Sequence, residues 1–304
     1  MIDPAPMSLS NLLITKIALP LRRTKRRYSS AARTRRHIDD LEVRPAPFAP
    51  PRRLDRRARV ELDRRGGWPV YELTPRDGAP VAHALYLHGG AYIHEIGRWH
   101  WRLAGQLVQD VPCRCVVPIY PLGRALGAAE TVATTAELAA GLIDEVGGEH
   151  VVFLGDSAGA GLALAAAMAL RDRGRAPARL VLISPWLDVA TDLPEQREIE
   201  PRDRMLSIPG LVESGRTYAG ELPVSDPRVS PIHGDLNGLP PVTVFTGTDD
   251  LVNPDAHRMR TACAEAGVDC ELIEMAGMQH EYPLMPTAEG RSARRHIAQL
   301  VRRP

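Results

Sequence analysis

Ser157 lies in the pentapeptide Gly155-Asp156-Ser157-Ala158-Gly159, which fits the pattern G-x-S-x-G. The apolar run 151–154 before it predicts a strand, and the Ala- and Leu-rich segment 158–171 after it predicts a helix. A serine in a tight turn between strand and helix can act as a nucleophile, and the flanking glycines leave room for that turn. The alternative interpretation is a helix N-cap serine after a glycine turn.

A serine is a weak nucleophile and needs a neighbouring base. Of the histidines after Ser157, His280 follows a predicted strand at 270–274, which places it at the same sheet edge as Ser157. The others are His233, His257 and His296. A carboxylate is expected between the serine and the histidine. Asp249, Asp250 and Asp255 all follow the predicted strand 242–246, and their spacing alone does not choose among them.

Ester hydrolysis also needs main-chain N–H groups around the oxyanion of its tetrahedral intermediate. Gly89 and Gly90 follow the predicted strand 83–87, and glycines allow close approach of the backbone. The sequence therefore predicts an oxyanion hole formed by Gly89, Gly90 and Ala158, with His88 ordering the loop. An ordinary glycine turn is the alternative.

Short apolar strands alternate with helices from Trp68 onward, which predicts an α/β fold with a mostly parallel central sheet flanked by helices. The predicted strands are 69–73, 83–87, 114–119, 150–154, 179–184, 242–246 and 270–274. The predicted helices are 98–110, 128–146, 158–173, 255–266 and 288–302. We divide the chain into an N-terminal basic region, 1–67, and a catalytic domain, 68–304. The polar, proline-containing insertion at about 186–231 and the N-terminal region are expected to form a small cap.

Charge is distributed unevenly along the 304 residues. Residues 1–65 contain 17 Lys/Arg against 7 Asp/Glu, a balance of +10, whereas the whole chain has a net charge of +1. No nucleic-acid-binding motif accompanies these charges, so we expect no nucleic-acid partner. Leu9, Leu12, Leu13 and Ile17 have helical spacing, which predicts a lid helix or an amphipathic helix on a membrane surface.

The four cysteines show neither a C-x-x-C pair nor zinc-ligand spacing. We expect free thiols, a cytoplasmic location that leaves peripheral membrane contact open, and no metal or cofactor. Oligomeric state is not encoded in these patterns, and a homodimer stays open.

These motifs together resemble the bacterial hormone-sensitive-lipase-like esterases, over about residues 70–300. The matching segments are His88-Gly89-Gly90-Ala91, Gly155-Asp156-Ser157-Ala158-Gly159, Asp226-Pro227-Arg228-Val229-Ser230-Pro231, Leu239-Pro240-Pro241, Gly247-Thr248-Asp249-Asp250-Leu251 and the loop ending in His280. The resemblance implies the α/β-hydrolase fold and a triad of Ser157, His280 and Asp250. Ala91 departs from the family pattern, because many members have a third glycine there.

The resemblance further implies a serine carboxylesterase or lipase-like enzyme acting on short- to medium-chain esters through an acyl-enzyme. Lactones share the same acyl chemistry, and the expected partner is a small-molecule ester. A non-catalytic small-molecule receptor on the same scaffold is the rival hypothesis, since fold does not determine function.

Overall fold

Buried apolar strands form the centre of the protein, described here by a computed structural model over residues 8–22 and 24–303. Eight strands build one sheet in the order β1-β2-β4-β3-β5-β6-β7-β8. Their bounds are β1 Arg59–Arg65, β2 Trp68–Thr74, β3 Ala82–Leu87, β4 Cys113–Pro118, β5 Val151–Asp156, β6 Arg179–Ile183, β7 Val242–Gly247 and β8 Cys270–Met275. Strands β3 to β8 are parallel, whereas β1 and β2 run antiparallel to their neighbours. The predicted mostly parallel α/β sheet is confirmed.

Helices cover both faces of this sheet. Their bounds are α1 Leu9–Leu13, α2 Leu19–Arg22, α3 Thr24–Tyr28, α4 Ala31–Val43, α5 Arg98–Asp110, α6 Ala128–Val146, α7 Ala158–Arg171, α8 Pro194–Ile199, α9 Ile208–Ala219, α10 Asn253–Glu265 and α11 Ala288–Arg302. A π-helical turn, Ile14–Ala18, joins α1 to α2. One hydrophobic core packs α6, α7 and α10 against the sheet, and a second packs α5 and α11 against the opposite face.

Strand β1 is absent from the sequence-based prediction. It pairs along its whole length with β2, and the two strands are joined through Gly66 and Gly67, both with positive φ. The side chains of β1 are exposed or half-buried, and five of its seven residues are charged. The strand therefore lacks the buried apolar face by which a strand is recognised in a sequence.

The insertion and the N-terminal region pack on each other above the carboxyl ends of the parallel strands. Arg35 on α4 forms two hydrogen bonds with the Glu213 carboxylate on α9, at 2.5 and 3.0 Å. A Cβ atom at Gly210 would collide with Tyr28, so α3 and α9 approach closely only because this position is glycine. Residues 1–7 and Arg23 of the predicted N-terminal region lie outside the described residues.

All four cysteines are free, and Cys113, Cys115 and Cys263 are buried. Within the described part of the chain, no helix combines the length and hydrophobicity needed to span a bilayer.

Candidate active site

The turn between β5 and α7 holds Ser157 in a strained conformation, with φ 51° and ψ −119°. Its main-chain N–H donates to the Ile183 carbonyl at 2.8 Å. A Cβ atom at Gly159 would collide with the carbonyls of Leu87 and His88, and one at Gly155 would collide with the Gly159 carbonyl. Both glycines are therefore required for the close approach of α7 to the sheet.

His280 bridges the serine and an aspartate. Its Nε2 lies 2.9 Å from Ser157 Oγ, and its Nδ1 lies 2.9 Å from Asp250 Oδ1. This pairing assigns the proton to Nδ1, which leaves Nε2 free to accept the serine proton. Burial of His280 disfavours its cation, but the Asp250 carboxylate outweighs burial and raises the His280 pKa.

The three competing aspartates have different partners. Asp249 is half-buried and receives a hydrogen bond from Arg202 Nε at 3.0 Å. Asp255 Oδ2 accepts the main-chain N–H groups of Leu187 and Asp188, at 2.8 and 3.1 Å, and so holds the start of the insertion. Of the three, Asp250 is the one placed against His280, and it is fully buried.

A second buried carboxylate lies close to Asp250, and the sequence analysis missed it. Asp203 Oδ2 accepts the N–H of Leu251, next to Asp250, at 2.8 Å. Its Oδ1 accepts the N–H groups of Met205 and Leu206. Burial and the nearby Asp250 charge raise the Asp203 pKa to about 6. Asp203 lies in the insertion, 47 positions before Asp250, where no local pattern relates the two.

The loop after β3 differs in one respect from the prediction. The Gly89 N–H, expected to face the oxyanion, donates to Asp156 Oδ2 at 2.8 Å and is therefore engaged. Gly90, Ala91 and Tyr92 then have positive φ values of 129°, 53° and 59°. Among the described residues, the main-chain N–H groups of Gly90, Ala91 and Ala158 have no hydrogen-bond acceptor.

Comparison with known proteins identifies the family. Residues 84–284 match the family described as the alpha/beta hydrolase fold. The chain belongs to this alpha/beta hydrolase family.

The relatives of the hydrolase are esterases and lipases by name. It is 41% identical over 226 residues to LipR, a candidate acetyl-hydrolase of Mycobacterium tuberculosis, covering 72% of this chain and 71% of LipR. It is similar to the crystal structure of a candidate esterase from Staphylococcus aureus, with a TM-score of 0.86, 27% identity and coverage of 94% and 97%. A hormone-sensitive lipase from a metagenome library superposes with a TM-score of 0.76, 26% identity and coverage of 88% and 97%. The predicted fold and the predicted resemblance to hormone-sensitive-lipase-like esterases are confirmed, and the protein is a hydrolase of the esterase and lipase type.

Asp156 organises a buried network next to Ser157. Its Oδ1 accepts the Tyr86 hydroxyl at 2.5 Å, and its Oδ2 lies 3.2 Å from His100 Nε2. Burial disfavours the Asp156 carboxylate, but His100 and Tyr86 outweigh burial and lower the Asp156 pKa, so the group is ionised at neutral pH. Burial and the Asp156 charge raise the pKa of Glu281 to about 7, which lets this carboxyl donate a proton toward Asp156.

His100, Asp156 and Glu281 are also the one described trio of potential metal ligands, with ligand atoms within 4.8 Å of one another. Their atoms already have protein partners: His100 Nδ1 accepts the Gly97 N–H at 2.7 Å, while Nε2 faces Asp156. The trio is fully explained as a hydrogen-bond network.

The other histidines considered in the sequence analysis make no hydrogen bond to Ser157 or Asp250. His88 is buried and stacks on Tyr120 at 4.5 Å, and burial lowers its pKa to about 4, so it is neutral and structural. His233 lies beside Asp188 and His257 beside Glu274, at 3.2 and 2.7 Å. His296 packs edge-on against Phe245.

Proposed function

We propose that this hydrolase cleaves short- to medium-chain carboxylic esters through an acyl-enzyme, with Ser157 as nucleophile, His280 as base and Asp250 as acid. The single observation that carries the proposal is the continuous chain of two 2.9 Å contacts from Ser157 Oγ through His280 to Asp250. Such a nucleophile–base–orienter chain is the signature of covalent acyl transfer.

In the proposed reaction, His280 Nε2 takes the proton of Ser157 Oγ as that oxygen attacks the ester carbonyl. The imidazolium is stabilised by Asp250 and then protonates the leaving alcohol. A water molecule, deprotonated by His280, next attacks the acyl-serine ester and releases the carboxylic acid. A lactone would open by the same steps, with its alcohol remaining attached to the acyl chain.

We assign the oxyanion to the main-chain N–H groups of Gly90, Ala91 and Ala158. Their donors are free, whereas the Gly89 donor is engaged by Asp156. Ala158 begins α7, so the helix dipole adds to the stabilisation of the negative charge. Each such donor contributes about 3–4 kcal/mol to transition-state stabilisation in enzymes where it has been removed.

A largely apolar cavity of about 230 Å³ lies beside the proposed site. Its walls come from the N-terminal helix through Ile14 and Leu19, from the insertion through Met205, and from the segment after His280. Glu281 also lines it, and Glu281 Oε1 lies 3.7 Å from His280 Nε2, so the cavity is adjacent to the proposed base. Residues 1–67 and the insertion together are therefore proposed as the cap over the substrate.

The direct test is hydrolysis of p-nitrophenyl esters from acetyl to palmitoyl by the wild type and by Ser157→Ala. We expect activity to be greatest for short and medium chains and to be lost in the variant. Equal activity in both proteins would contradict the assignment of Ser157. A wild type that binds these esters without cleaving them would instead support the receptor hypothesis. The homodimer stays a prediction.

A further inference from the structure

An apolar stripe lies exposed along the N-terminal helical segment. Leu9, Leu13, Ile17 and Leu21 are 80%, 59%, 52% and 76% exposed, and they recur every four residues. The opposite side of the same segment is buried against the protein through Asn11, Thr15 and Leu19. The segment is thus amphipathic in an unusual sense, because its polar residues Asn11 and Thr15 are buried and its apolar side faces solvent. Exposed apolar surfaces of this kind mark interaction sites.

The π-helical turn keeps this stripe straight. In an α-helix, four residues exceed one turn of 3.6 residues, so side chains spaced by four drift around the axis. The turn Ile14–Ala18 uses hydrogen bonds spanning five residues, which widens it and reverses the drift between Leu13 and Ile17. The four side chains therefore remain on one side of the segment.

The residues around the stripe are basic without acidic neighbours in sequence. Residues 8–38 contain nine Lys or Arg and no Asp or Glu. Lys16, Arg26 and Arg27 are exposed. An apolar stripe combined with cationic flanks suits the interface of an anionic bilayer, where apolar side chains enter the acyl boundary and cations face phosphates.

A groove of about 440 Å³ provides a second, independent cationic feature. Arg53, Arg57, Arg98 and Arg102 line it together with Trp99, and its described lining includes no Asp or Glu. The guanidinium groups of Arg98 and Arg102 lie 4.5 and 5.8 Å from the centre of the Trp99 ring. Burial and the neighbouring charges of Arg57 and Arg291 lower the Arg102 pKa, as expected where cations crowd without an anion.

The two features flank one cavity. Ile14 and Leu19 of the N-terminal segment form one wall of the 230 Å³ cavity described above, and Arg98 and Trp99, which also line the groove, form another. The cavity reaches Glu281, whose Oε1 lies 3.7 Å from His280 Nε2. An object that covered both the stripe and the groove would cover this cavity too.

We propose that this face docks on an anionic phospholipid surface, with the stripe inserted and the groove arginines on lipid phosphates. Guanidinium groups bind phosphate oxygens in a bidentate manner. The groove arginines should therefore bind an anionic surface more tightly than a zwitterionic or uncharged one. The cavity then opens toward the lipid, so ester substrates enter from the membrane. This last step rests on the proposed ester hydrolysis, whereas the docking itself does not.

The test is co-sedimentation of the full chain with phosphatidylcholine vesicles and with vesicles containing equal parts phosphatidylcholine and phosphatidylglycerol. We expect binding to the mixed vesicles that weakens as salt is raised, because exposed charges are screened. Leu9→Ser/Leu13→Ser/Ile17→Ser and Arg53→Gln/Arg57→Gln should each weaken that binding by about tenfold or more. The matched controls, Leu62→Ser/Val81→Ser and Arg64→Gln/Arg303→Gln, remove exposed apolar and cationic side chains elsewhere and should bind like the wild type.

Hydrolysis of the soluble ester p-nitrophenyl butyrate, measured without vesicles, should be unchanged in all four variants, because none of the substituted side chains lines the 230 Å³ cavity under the cap. If the wild type itself does not hydrolyse this ester, the result contradicts the hydrolase mechanism and leaves docking untouched. Equal binding of the wild type to both vesicle types, or wild-type binding by either test variant, would overturn docking. Docking would also be overturned if the wild type were a dimer, the serine triple variant were a monomer, and vesicle binding persisted in that variant. The stripe would then be a contact between two copies of the chain.

Discussion

The Gly89 N–H donates to Asp156 Oδ2 across 2.8 Å and thereby ties the loop after β3 to the residue that precedes Ser157. Asp156 is fully buried and also accepts the Tyr86 hydroxyl. The second residue of the G-x-S-x-G pattern thus fixes the two loops that supply the proposed oxyanion donors. A Cβ atom at Gly89 would collide with this carboxylate, which explains the glycine at this position.

Asp156→Asn is expected to lower kcat by about 10- to 100-fold with a smaller change in KM. The neutral amide binds the Gly89 N–H more weakly, so the donors at Gly90 and Ala91 lose their fixed position. Steady-state kinetics on p-nitrophenyl acetate measure the change, with Asp172→Asn as an exposed control. A kcat equal to that of the wild type would show that the tie is not needed for the reaction.

Asp250→Asn should lower kcat by about 10⁴-fold, because the amide cannot stabilise the imidazolium or hold the required tautomer. Asp249→Asn, one position away, should stay within about threefold of the wild type, since Asp249 pairs with the half-exposed Arg202. Parallel measurements of kcat and of thermal unfolding separate catalysis from folding. If Asp249→Asn lowered kcat more than Asp250→Asn does, Asp249 would be the acid instead.

As the pH is lowered, kcat/KM should fall with an apparent pKa above 6.5, the ordinary pKa of a histidine side chain. The reaction needs neutral His280, and the Asp250 charge raises the pKa of that imidazole, so protonation inactivates the enzyme already at higher pH. Asp250→Asn removes the largest of the charges that oppose burial, while Glu281 and Asp203 remain, so the acidic limb of kcat/KM should move to lower pH in the residual activity. A limb unchanged between the two proteins would contradict this electrostatic coupling.

The buried Asp255 carboxyl should make the free energy of unfolding depend on pH. Burial raises its pKa to about 7 in the folded state, from an ordinary value of 3.8. The folded state therefore holds the proton more tightly, and the Asp255 contribution to stability falls as the pH rises from 4 to 7. Relative to the wild type, Asp255→Asn should gain about 3 kcal/mol of stability between pH 5 and pH 8. Thermal unfolding of both proteins at the two pH values measures this, and a constant difference would contradict the prediction.

Helices and strands of the central α/β layers were largely predictable from their buried apolar faces, as α6 and α11 show by starting and ending where predicted. Helix α9 was not predicted, although it buries Leu211 and Tyr218, because it lies in the polar insertion. Strand β1 was not, because its charged residues give no such face. Ser157 and His280 follow strands that end at the same sheet edge, which is why spacing sufficed to pair them. The choice of Asp250 needed the family resemblance.

Contacts between distant segments set the limit of prediction. Gly89 was assigned to the oxyanion because glycine allows close approach of the backbone, and only the folded chain reveals that Asp156 accepts its N–H. Asp203 lies in the insertion and accepts the N–H of Leu251, and no sequence periodicity relates two positions so far apart. Lys25 likewise binds the carbonyls of Glu200 and Asp203, linking the N-terminal region to the insertion.

The most direct test of the account is labelling with a fluorophosphonate, which reacts with an activated serine, followed by intact mass and peptide mapping. We predict one adduct per wild-type chain, located on Ser157, no adduct on Ser157→Ala, and strongly slowed labelling of Asp250→Asn, whose base is misaligned. An adduct on another residue, or equal labelling of Ser157→Ala, would contradict the claim that Ser157 is the nucleophile activated by His280.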